Sequence, residues 1–171
     1  MASQRFPPSA AVDRRAVVLG LAVALASRSA IAAGCPLRVL FVCPAGSVKS
    51  AIAREALKRR AAEAGLAVAV SSRGVHPQDH VTPTLAANLR TDGLDPAAEP
   101  LRALAPSDVA QADLVIAFDA ASDEPMLRSA RTWKTPSWND HYAEAKADLD
   151  DRLIGLLAEL KARDGRPCAA P

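Results

Sequence analysis

Residues 37–55 read LRVLFVCPAGSVKSAIARE, and no other stretch constrains the fold as much. Leu37, Val39, Leu40, Phe41 and Val42 form a short apolar run rich in β-formers, the pattern of a buried strand. Cys43 stands where that strand ends. Pro44, Ala45, Gly46 and Ser47 continue neither strand nor helix well. Residues 50–65 then read as a helix, with Ile52, Ala56 and Leu57 apolar and Lys58, Arg59 and Arg60 basic, stopped at Gly65. A loop between a strand's carboxyl end and a helix's amino end gathers backbone N–H groups and the positive end of the helix dipole, so an anion fits there. A cysteine in that field is expected as the thiolate nucleophile. Thiolate and oxyanion cradle together imply attack on a phosphoryl-like centre.

Val42-Cys43, five residues, then Lys49-Ser50 resembles the V-C-x5-R-S signature of the low-molecular-weight protein tyrosine phosphatases and the related arsenate reductases. Further resemblances follow in order: VAVSSRG at 68–74, LRTDGLD at 89–95 and ADLVIAFD at 112–119. The likeness spans about residues 37–165. It implies a three-layer, doubly wound α/β fold. Its four-stranded parallel sheet would have the flavodoxin-like order 2-1-3-4, with helices on both faces. Alternation of strands and helices along the chain independently implies a parallel sheet covered on both sides. After the first helix come a strand at 66–75, a loop at 76–84 and a helix at 85–91. A loop at 95–106 leads to a helix start at 107–109 and a strand at 114–118. A helix at 124–131, a short strand at 132–135 and a loop at 136–139 follow. The last helix starts near Asp140, capped by Asn139, and carries the stripe Leu149, Leu153, Leu156 and Leu160.

Carried onto this chain, the resemblance makes Cys43 the nucleophile and Ser50 the hydroxyl that donates to its sulfur. Ala45, Gly46, Ser47 and Val48 form the cradle. Gly46 suits a cradle that needs positive φ. Three departures stand out. Lys49 replaces the signature arginine, giving a point charge where a planar fork grips two oxygens. Pro44 has no N–H to offer. The family's Asp-Pro, its general acid, is absent: Ser137 and Trp138 fall in its place. Asp140, three residues on, is the candidate acid; the plainer reading is a first-turn helix residue that favours the dipole. Trp138 is expected beside the pocket, selecting a ring-bearing substrate, or else as a partly exposed aromatic. Asp119 is expected to fix its loop. His76, His80 and His141 lack a metal-ligand spacing, and no cofactor is implied.

The resemblance implies hydrolysis of a phosphotyrosine-like phosphomonoester through a cysteinyl-phosphate at Cys43. Two alternatives stay open: a catalytically impaired oxyanion-binding pseudophosphatase, and an arsenate reductase-like protein. Whether the chain is an enzyme is left open with them. The partner expected in each case is a phosphate-like oxyanion or a phosphorylated substrate.

The 171 residues suffice for one domain with a sizeable core. A net charge of +2 says little about partners, but with 4% aromatics and no basic stripe nucleic acid is not the expected one. Residues 1–33 read as an export signal. Arg14-Arg15 precede an apolar run at 16–26 too short to span a bilayer, and Ala30-Ile31-Ala32 resembles a cleavage site. The paired arginines resemble a twin-arginine signal; an ordinary secretory signal or a tail are the alternatives. The mature domain, 34–171, would then be exported to a bacterial periplasm, without stable membrane association. Cys35 follows a poor lipobox. In a doubly wound fold the last helix returns to the edge where the first strand begins. An oxidising compartment would therefore favour a Cys35–Cys168 disulfide, worth on the order of 4 kcal/mol for so long a loop; two unrelated free thiols are the alternative.

Overall fold

A computed structural model describes residues 35–163. β1 (Leu37–Cys43) lies between β2 (Val68–Gly74) and β3 (Leu114–Phe118), and β4 (Arg131–Trp133) extends the far edge. The sheet order is β2-β1-β3-β4, all parallel, as the resemblance implied. The registers Cys43↔Gly74 and Val42↔Ala117 bring the carboxyl ends of these strands to one edge of the sheet. The functional loop starts there.

β1 is central because both its faces are apolar. Val39, Phe41 and Cys43 enter one core, with Ile52 and Leu57 of α1 (Lys49–Glu63), Leu85 and Leu89 of α2 (Pro83–Thr91), and the leucine stripe of α4 (Tyr142–Arg163). Leu40 and Val42 enter the other, with Ala117, Ala121, Leu127 and Val109 of α3 (Pro106–Gln111). The alternation of period two along β1 thus separates the two layers. Phe41, Phe118 and Trp133 cluster with ring centroids 5.7–6.0 Å apart. Arg152 of α4 lies 5.6 Å from the Trp133 ring centroid, over its face.

One charge is buried deeply. Arg54 of α1, 2% exposed, donates to Ser72 Oγ at 2.7 Å, to the Pro96 carbonyl at 2.9 Å and to Glu55 at 2.6 Å. It therefore ties α1 to β2 and to the segment beyond α2.

Several boundaries differ from the sequence reading. α2 begins at Pro83, inside the expected loop: the Thr82 side chain accepts from Leu85 N at 3.2 Å, and proline suits a first turn. The helix expected at 124–131 is replaced by two 3-10 turns, Asp119–Asp123 and Pro125–Leu127. Pro125 has no N–H for a continuous ladder. β4 starts one residue earlier and is shorter than expected, since only Arg131, Thr132 and Trp133 find partners on β3. α4 starts at Tyr142, and Asn139 does not cap it. The Asn139 amide instead donates to the His80 carbonyl and accepts from Thr82 Oγ1, both at 3.0 Å.

Cys35 is disulfide-bonded, and Cys43 is a free, buried thiol. Cys168, its expected partner, and the expected export signal at 1–33 lie outside the described residues. Among the described residues no helix is long and apolar enough to cross a membrane.

Candidate active site

The loop after β1 is stitched to the chain that follows β2. The carbonyls of Cys43, Pro44 and Ala45 accept from the N–H groups of Val75, His76 and Gln78 at 3.1, 2.8 and 3.0 Å. With these carbonyls committed outward, N–H groups are left for the interior of the loop. Gly46 makes the turn at φ +79°. A Cβ there would meet Gly74 N and Leu101 Cδ1 at 2.7 Å, so only glycine fits the close approach.

Cys43, 3% exposed, sits at the base. Gly46 N–H donates to its sulfur at 3.0 Å, and the Ser50 hydroxyl lies 3.1 Å from it. Ser50, wholly buried, is also 3.2 Å from the Gly46 carbonyl and 3.3 Å from the Arg73 carbonyl. Its single proton must choose among three acceptors, and a charged sulfur is the strongest of them. Arg73 is itself held, pairing with Asp108 at 2.6 Å. Burial raises the Asp108 carboxyl, but the hydrogen bond from Arg73 and the Ala105 N–H outweigh it and leave it below the usual range. The N–H groups of Val48, Lys49, Ser50 and Ala51 donate to no acceptor among the described residues, whereas the bridge between Gly46 and Gln78 turns the Ser47 N–H toward the Gln78 carbonyl. Those from Val48 to Ala51 are the orphan donors of a helix start.

Lys49, in the place of the signature arginine, and Asp140, the candidate acid, have partners of their own, and Asp140 precedes α4 rather than lying in its first turn. The Lys49 ammonium donates to Asp119 Oδ2 at 2.5 Å and to the Thr135 carbonyl at 2.7 Å. Asp140 is exposed and accepts from Ser137 Oγ at 2.6 Å, a bond within its own loop. Trp138 is 3% exposed and packs edge-on against Tyr142, ring centroids 5.6 Å apart. It is a core side chain, because the turn before α4 folds its ring inward. Ser47 Oγ accepts from His80 N at 3.0 Å, which sets the 76–82 loop against the cradle. Ala45 and Val48 lie in the loop as expected, Val48 buried.

Sequence reasoning missed the contacts that knit together the segments after all four strands: Ser47 to His80, His80 to Asn139, and Lys49 to Asp119 and Thr135. The only trace of them was Asp119 at the end of a strand. No group of His, Cys, Asp and Glu suited to a metal ion occurs among the described residues.

The family model for low molecular weight phosphotyrosine protein phosphatases matches residues 38–162. The chain belongs to that family. Solved structures of similar fold span this phosphatase-family domain. YfkJ from Bacillus subtilis is 21% identical, covers 76% of this chain and 98% of its own, and has a TM-score of 0.63. A thioredoxin-dependent arsenate reductase from Corynebacterium glutamicum is 24% identical, with 78% and 65% covered and a TM-score of 0.61. A low molecular weight phosphotyrosine phosphatase from Vibrio cholerae is 17% identical, with 74% and 98% covered and a TM-score of 0.60. At such identities these neighbours speak to the fold. No curated protein matches the chain.

Proposed function

We propose that this chain hydrolyses a phosphomonoester of phosphotyrosine type through a cysteinyl-phosphate. The observation that carries the reading is the Cys43 sulfur between the Gly46 N–H and the Ser50 hydroxyl, at the start of a helix whose first four N–H groups, from Val48 to Ala51, have no acceptor among the described residues. The thiolate attacks phosphorus, the S–P bond forms, and the P–O bond to the leaving group breaks. The leaving oxygen takes a proton from water. A second water then attacks phosphorus, inorganic phosphate departs, and the electron pair of the S–P bond returns to the sulfur. The Ser50 hydroxyl stabilises that returning charge. The backbone N–H groups bear the charge on the transferring oxygens. No carboxylic acid within the described residues bonds to the cradle, so good leaving groups are favoured.

One observation favours a second reading. Lys49 is held by Asp119 and Thr135, and Asp140 by Ser137. A chain with these two charges occupied can hold an oxyanion without turning it over. Arsenate reduction would need a further thiol, and no cysteine lies between Cys43 and Cys168.

The test is aryl phosphate hydrolysis by the full chain under reducing conditions, beside Cys43→Ser. An aryl leaving group needs little acid help. Turnover that disappears in the variant is expected; its absence, with phosphate still raising the melting temperature, would select the oxyanion-binding reading. We also propose export to the periplasm, on the pattern of residues 1–33. Fractionation of a bacterium expressing the full chain tests it, and retention in the cytoplasm would refute it.

A further inference from the structure

We infer that Asp119 is a positioning residue: it withdraws Lys49 from oxyanion binding and turns it into a clamp between the cysteine loop and the loop after β4. The inference rests on the oxyanion reading of the cradle. It assigns the anion to backbone N–H groups alone.

The clamp is a closed ring of three hydrogen bonds. Lys49 Nζ donates to Asp119 Oδ2 at 2.5 Å and to the Thr135 carbonyl at 2.7 Å. Thr135 N–H donates to the other carboxylate oxygen, Asp119 Oδ1, at 3.1 Å. Both carboxylate oxygens are thus committed, one to each loop. The Lys49 and Asp119 side chains are 18% and 32% exposed, so water screens the pair only in part.

Backbone conformation points the same way. Asp119 adopts φ +51°, a left-handed conformation that disfavours a residue with a Cβ. The Ser122 hydroxyl holds it there, donating to the Asp119 carbonyl at 2.7 Å. The bend presents the carboxylate to the lysine and to Thr135 together. Thr135 needs this support: its Oγ1 is buried and has no partner among the described residues, so the backbone bonds must hold the segment.

The residue type at position 49 suits a clamp. An ammonium directs three protons along tetrahedral directions and can serve a carboxylate and a carbonyl that are not coplanar. A guanidinium fork suits two oxygens of one planar or tetrahedral anion. Two of the three Lys49 protons are committed, one to a full charge and one to a carbonyl, so any bond to a phosphoryl oxygen falls to the third alone.

The experiment uses the full chain as wild type, Lys49→Met, Asp119→Asn and the double variant. Three quantities are read: aryl phosphate kinetics, inorganic phosphate affinity by calorimetry, and hydrogen exchange at the Thr135 amide. Both single variants should lower kcat by similar factors, and the double variant should be no worse than about threefold below either. Phosphate affinity in Lys49→Met should stay within about threefold of wild type, and Thr135 exchange should quicken in both singles. The inference is overturned if Lys49→Met weakens phosphate tenfold or more while Asp119→Asn tightens it, since the ammonium would then serve the anion. Should the wild type neither turn over nor bind phosphate, the oxyanion reading fails. Thr135 exchange would then still decide the clamp, and unchanged exchange in both singles would refute it.

Discussion

At the scale of single residues, two side chains around the sulfur make different demands. Ser50 approaches Cys43 through a hydroxyl with no steric necessity, so Ser50→Ala should fold and lose chemistry. One hydrogen bond to a charged sulfur is worth about 1.5–3 kcal/mol. Hydrolysis of the cysteinyl-phosphate should therefore slow by roughly ten- to a hundredfold, with a covalent intermediate accumulating in mass spectra of quenched reactions. Gly46 makes the opposite demand. At φ +79° with no room for a Cβ, Gly46→Ala should cost about 1–3 kcal/mol and disturb the N–H aimed at the sulfur. A lowered melting temperature together with weaker phosphate binding would check it. Cys43, Gly46 and Ser50 were legible in the sequence because they meet within a single turn of chain. Lys49 was legible as a charge and illegible as a contact. Its partners lie 70 and 86 positions away, where spacing carries no information. Trp138 was misplaced for a similar reason: an aromatic in a loop does not reveal which way the turn folds it.

At the scale of elements, α4 is the strap across one face; it shares an apolar core with α2 and adds an electrostatic tie to it. Asp92, just past α2, accepts from the Tyr142 hydroxyl at 2.5 Å and pairs with Lys146 at 2.8 Å. The Lys146 hydrogen bond and then the Tyr142 hydroxyl hold the Asp92 carboxyl below the usual range, while burial and the neighbouring Asp92 push the Tyr142 hydroxyl up. A carboxyl depressed on folding stabilises fully above its unfolded value, about pH 3.9, and loses that contribution as pH falls through the lower folded value. Denaturant titrations below about pH 4 should show stability falling, and Asp92→Asn should make the fall shallower by one proton's worth. The leucine stripe of α4 was legible because one strong period ran through it, and β3 because it is an unbroken apolar run. The segment between β3 and β4 was not. Pro125 and the bend at Asp119 break any period there, and tertiary hydrogen bonds decide the path.

At the scale of the whole molecule, the strand order follows from one central strand with two apolar faces and from chain-order resemblances. Periodicity alone would have left the order open. Cys35 stands at the foot of that strand in a disulfide, while Cys43 is reduced at its head. With Cys168 as the partner, the unfolded chain should titrate one thiol without reductant and all three after reduction. Three thiols in both conditions would show the bridge absent in solution.

The ties among the segments after the four strands also bear on how such a chain can diverge. Lys49 and Asp119 satisfy each other, and so do Thr82 and Asn139, across loops far apart in sequence. A replacement at one member leaves a charge or an amide stranded at the other. Descendants of this chain should therefore inherit these residues in pairs. Introducing arginine at position 49 without also changing position 119 would transplant the family's letter and leave its carboxylate rival in place.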